Sequence, residues 1–125
     1  MNYIVAYLLI NEVSQEQVFW FLVCLIENIL PDDYFKDLTT ISIISYIFND
    51  ILSELFPAFQ LEMTEAGMDS SVFLVPWFVC LFSKGFINSV SSYIINVILL
   101  ESRDYRVGFI LLKISLALIT IVLTV

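Results

Sequence analysis

Three features of the sequence predict an all-α fold of six or seven helices. Only three glycines and three prolines occur in 125 residues, which leaves little room for a turn-rich β architecture. Helix punctuation recurs along the chain, at Ser14 with Gln17, at Pro31, at Pro57 and at Gly67. Between these marks the apolar residues fall at helical spacing, most cleanly over residues 40–56. Sixty per cent of the residues are hydrophobic, well above the roughly 45–50% of soluble domains. Burial must therefore be extensive, in a core, in lipid or in a larger assembly.

The elements run in order along the chain. Residues 2–10 make a short apolar helix ended by Asn11-Glu12. Ser14 and Gln17 form a capping box, the hydroxyl accepting from an early backbone N–H while the glutamine reaches back. The helix so opened runs to Leu30, where Pro31 disfavours helical geometry in the residue before it. Over residues 18–26 it is apolar on every side, the pattern of a helix buried in a core or in lipid. After a polar stretch at 31–37, an amphipathic helix spans about residues 40–56. Ser42, Ser45, Asn49 and Ser53 mark its wet side; Ile41, Ile44, Phe48, Ile51, Leu52 and Leu55 line the other. That helix belongs on a globular core in water.

Pro57 suits the first turn of a shorter helix, and Gly67 its C′ position. Asp69-Ser70-Ser71 offers caps for a helix to Phe82, which Pro76 should kink or confine to two short turns. Ser83-Lys84-Gly85 is a loop. A helix over 87–100 carries Asn88, Ser92 and Asn96 on one stripe, and 101–105 is a second polar loop. The last helix, about 106–123, has only the narrow polar seam Arg106, Lys113 and Thr120. Residues 107–125 approach the ~20 needed to span a bilayer, with Lys113 costing roughly 2.5–3.5 kcal/mol at the centre.

Charge and residue types exclude several chemistries. The net charge is −8, and it is uneven: residues 1–69 hold eleven acidic groups against Lys36 alone, residues 70–125 four basic against two acidic. No basic patch exists to bind nucleic acid. With no histidine and no Cys-x-x-Cys, zinc has no ligand set. Cys24 and Cys80, both in apolar helical stretches, read as small core residues of a reducing compartment. Gly67, Gly85 and Gly108 are isolated, so neither a P-loop nor a dinucleotide fingerprint assembles, and no cofactor is implied. Asp32-Asp33 has nothing nearby to force two carboxyl pKa values apart. Adjacent Trp77 and Phe78 read as helix–helix packing anchors.

Several short motifs occur together and in order. They are Met1-Asn2-Tyr3-Ile4-Val5-Ala6, Phe19-Trp20 with the helix to Glu27, Leu30-Pro31 with Tyr34, and Phe56-Pro57-Ala58-Phe59. Ala66-Gly67-Met68-Asp69, Pro76-Trp77-Phe78 and Leu81-Phe82-Ser83 come next. The set resembles the C-terminal part of the TBC domain, the GTPase-activating module for Rab proteins, over about residues 1–118. Phe19, Trp20, Pro31, Pro57, Pro76, Trp77 and Phe78 carry the resemblance as marks of the fold. Glu62-Met63 stands where the family usually has His-Leu, and Ile95-Asn96 where it has Trp-Asp.

The resemblance implies a regulator of a Rab-family small GTPase in vesicle trafficking, working on the cytosolic face of endomembranes and not itself an enzyme. It also implies that the family's arginine finger, in Ile-x-x-Asp-x-x-Arg, and its glutamine finger, in Tyr-x-Gln-Gly, lie before Met1. Asn2 and Tyr3, next to the glutamine's place, become the candidate GTPase-facing residues; Arg103 and Arg106 read as solvated loop charges. Two other readings stay open: a non-catalytic TBC-like interaction module, and a small membrane protein anchored through 107–125. So apolar a chain expressed alone is expected to be oligomeric or aggregated; a monodisperse, cooperatively melting species in sedimentation and calorimetry would contradict this.

Overall fold

The computed structural model describes residues 2–125. It is all helical, with no strand among the described residues. The order is α1 (Asn2–Ile10), α2 (Gln15–Cys24) with a π-helical continuation over Leu25–Ile29, α3 (Thr39–Leu55), α4 (Pro57–Glu65), α5 (Ser71–Val79), α6 (Asn88–Glu101) and α7 (Val107–Thr124). α3 is the hub, packing on α4, α5 and α7, while α6 packs on α7 and α1 on α2.

The punctuation acts as expected at most boundaries. Ser14 and Gln17 form both halves of the capping box. Leu30 turns to extended geometry before Pro31, and its N–H reaches back five residues to the Leu25 carbonyl at 2.9 Å, the widened turn of a π-helix. Pro57 opens α4. Gly67, at φ +68°, closes it: the Met68 N–H donates to the Met63 carbonyl and the Gly67 N–H to that of Thr64, the paired bonds of a Schellman stop.

Burial corrects the sequence reading in four places. In α2 only Val18 is buried, while Phe19 and Trp20 are 58% and 60% exposed; a helix apolar on all sides is here covered on one. Cys24 is exposed for the same reason, and only Cys80 lies in the interior. Ser45 is buried, its hydroxyl donating to the Ile41 carbonyl at 2.9 Å, so one of the expected wet positions faces the core without an unpaired polar atom. Leu55, in the last turn of α3, is exposed.

α5 ends at Val79, short of Phe82. Leu81 and Phe82 adopt positive φ, 46° and 58°, which no continuing right-handed helix accepts. Pro76 sits inside the helix without ending it. The carbonyl its absent N–H would have met belongs to exposed Val72, where water is the available partner.

Asp69 caps the approach to α5, its carboxylate accepting from the Ser71 N–H at 2.6 Å. That bonding holds its pKa below the ordinary 3.8, as bonding to Thr39 does for Asp37 ahead of α3. A depressed folded-state pKa contributes stability present above the unfolded value and lost as pH falls through the folded one. Helicity should thus decline as pH drops below about 3.8, and Asp69→Asn should flatten part of that decline in a far-UV circular dichroism titration.

Candidate functional site

The described part of the candidate site is the N-terminal end of α1. Asn2 and Tyr3 are both exposed, with Ile4 fully buried behind them. The third member of the site comes from a distant part of the chain. Lys84, in the loop after α5, places its ammonium 4.5 Å from the centroid of the Tyr3 ring, a cation–π geometry. Sequence reasoning missed this residue. Lys84 is an ordinary loop lysine until the fold brings it to Tyr3.

The loop is held there by the motif around Trp77 and Phe78. Phe78 is completely buried, and Trp77 half-buried. Trp77 lies within 6 Å of three rings, with centroid distances of 5.0 Å to Phe73, 5.7 Å to Phe82 and 5.5 Å to Phe86. Three carbonyls at the end of α5 are taken: Pro76 accepts from Cys80, Trp77 from Phe82, and Phe78 from Leu81. Phe78 also accepts from the Tyr34 hydroxyl, at 2.8 Å. Burial pushes the Tyr34 phenol far above its ordinary pKa, so it remains a neutral donor. Beyond the turn, the buried Ser91 hydroxyl of α6 donates to the Phe82 carbonyl at 2.8 Å.

The far end of α1 is tied to α6. Asn11 and Asn88 exchange amide hydrogen bonds at 3.0 and 2.8 Å, and Tyr7 shares a hydrogen bond with Ser92. The polar stripe of α6 is therefore partly an α1-facing surface. Its third member, Asn96, is exposed, while neighbouring Ile95 is buried. Isoleucine takes the interior place there, with no acidic partner beside it.

The remaining positions take no part at Tyr3. Phe19 and Trp20, which form an edge-to-face pair at 5.3 Å, stand exposed on α2. Pro31 and Pro57 are exposed at helix boundaries, and Pro76 is exposed within α5. Arg103 and Arg106 are exposed between α6 and α7. Among the described residues, no group of three or more His, Cys, Asp or Glu is placed to hold a metal ion.

The site thus consists of an exposed polar end of α1 beside Lys84, backed by the aromatic cluster around Trp77. The family is defined by sequence: the Rab-GTPase-TBC domain matches residues 1–122, and the chain belongs to that family. It is 28% identical over 107 residues to TBC1 domain family member 2A of Ailuropoda melanoleuca, covering 85% of this chain and 12% of that protein. It is 30% identical over 82 residues to growth hormone-regulated TBC protein 1 of Xenopus laevis, covering 66% of this chain and 24% of the relative. The chain thus spans a small part of the relatives it matches. No solved structure matches it.

Tyr34→Phe removes one donor from a buried carbonyl that keeps its bond to Leu81. The expected cost is about 1–2 kcal/mol, read as a lower urea midpoint with an unchanged slope; an unchanged midpoint would show that the hydroxyl contributes nothing.

Proposed function

We propose that this chain regulates a Rab-family small GTPase in vesicle trafficking, on the cytosolic face of endomembranes. In this reading its helices are the framework behind a GTPase-facing surface that includes Asn2 and Tyr3. The family match over residues 1–122 carries the proposal. We propose further that these 125 residues by themselves leave GTP hydrolysis at its intrinsic rate.

The physical support is the inventory at Tyr3. Rab hydrolysis needs charge stabilisation on the phosphoryl oxygens and a positioned water, which an arginine and a glutamine supply in this family. Lys84 is the cation beside Tyr3. Arg106 instead lines a groove with Pro31 and Ile43. Gln17 is committed to the Ser14 cap, Gln15 stands exposed at the first residue of α2, and Gln60 lies half-buried in α4.

A second reading is favoured by α7. This helix has 18 residues, is long and apolar enough to cross a bilayer, and has 28% of its length buried. Exposed Phe109, Ile121 and Val122 lie along it. As an anchor, α7 would hold a non-catalytic module at a membrane.

The test is single-turnover phosphate release from a panel of GTP-loaded Rabs with the purified chain in excess. Rates are expected to stay within about twofold of intrinsic, against the roughly 10³–10⁵ that an arginine finger confers. An acceleration above about tenfold that Lys84→Ala or Arg106→Ala abolishes would overturn the inactive reading.

A further inference from the structure

A sizeable concavity lies away from Tyr3. It is a groove of about 780 Å³ between the end of the α2 π-turn, α3 and the first turns of α7, lined among others by Pro31, Ile43, Ile47, Phe109, Leu112 and Arg106. Its volume falls within the roughly 300–1,000 Å³ of small-molecule sites, which are mostly apolar with a few polar groups. Its rim holds large apolar side chains in contact with solvent: Ile43 is 56% exposed, Ile47 41% and Phe109 54%.

The polarity of the groove is one-sided. Its lining includes ten apolar residues, Thr40, and one charge, Arg106. Arg106 belongs to neither ion pair among the described residues, which join Lys36 to Asp33 and Lys113 to Glu101. It precedes α7 and makes no side-chain cap bond, so its guanidinium adds to the positive potential of that helix end. Gly108 forms part of the wall, and a Cβ there would meet Ile44 Cδ1 at 3.4 Å, so the α3–α7 approach at the groove is close.

We propose that this groove binds a long-chain carboxylate, with the alkyl chain along Ile43, Ile47, Phe109 and Leu112 and the head on Arg106. A mostly apolar lining matches a ligand whose length is hydrocarbon. A lone guanidinium matches a monoanion, and its planar fork suits a carboxylate. The groove binds its ligand independently of Rab regulation, so the two proposals fail separately.

The experiment is photolabelling of the full chain with a diazirine-bearing hexadecanoate, adducts being mapped by peptide mass spectrometry. This readout works on monomer and oligomer alike. Adducts are expected on residues 40–47 and 106–112. Arg106→Glu is expected to lower labelling about tenfold while leaving labelling by the matching hexadecanol probe unchanged. Ile43→Asp, at an exposed position, should lower both. Adducts on the Phe19–Trp20 face, labelling indifferent to both substitutions, or cross-linking showing a second copy seated in the groove would each overturn the site. Stronger labelling by an alkyl phosphate probe would overturn the monoanion assignment.

Discussion

The bond from the Tyr34 hydroxyl to the Phe78 carbonyl is the contact on which the rest of the structure leans. Tyr34 lies in the turn between α2 and α3, 44 residues from its acceptor, and both residues are buried. A phenol brought into an apolar interior needs a partner, and the end of a helix offers free carbonyls. The phenol gains its partner from a carbonyl that also accepts from the Leu81 N–H. The bond ties the turn between α2 and α3 to the end of α5, beside the aromatic cluster around Trp77.

The chain beyond α5 is shaped by this end point. Two consecutive non-glycine residues at positive φ, Leu81 and Phe82, are conformationally costly. They persist because the surroundings over-determine them. Both side chains are buried, the Phe82 N–H bonds to Trp77, and its carbonyl accepts from Ser91. The reversal throws Ser83-Lys84-Gly85 outward and sets Lys84 on the Tyr3 ring. A burial constraint deep in the molecule thus places a surface cation beside the N-terminal end of α1.

Much of this fold is legible in the sequence, for reasons that differ by residue. The capping box, Pro57 and Gly67 are local chemistry, complete within a few residues, and they read correctly without knowledge of the fold. The amphipathic pattern of α3 locates Ile41, Ile44, Phe48 and Leu52 in the core. Ser45 escapes that pattern because a serine that bonds to the preceding turn hides its polarity inside its own helix. Phe19, Trp20 and Cys24 escape it because apolar composition says a surface seeks cover, not which neighbour supplies it. The Tyr3–Lys84 pair spans 81 positions and has no periodic signature, so only the folded chain reveals it.

Solvent exposure is the physical ground for the proposal that this chain leaves hydrolysis at its intrinsic rate. A trans arginine lowers the barrier by about 4–7 kcal/mol, because it meets developing charge inside a site that excludes water. Lys84 is exposed beside Tyr3, where a charge pair in water is worth about 0–1 kcal/mol. The difference is several orders of magnitude in rate. Under the proposed function, the side chains around Tyr3 would serve to position a GTPase rather than to stabilise its transition state.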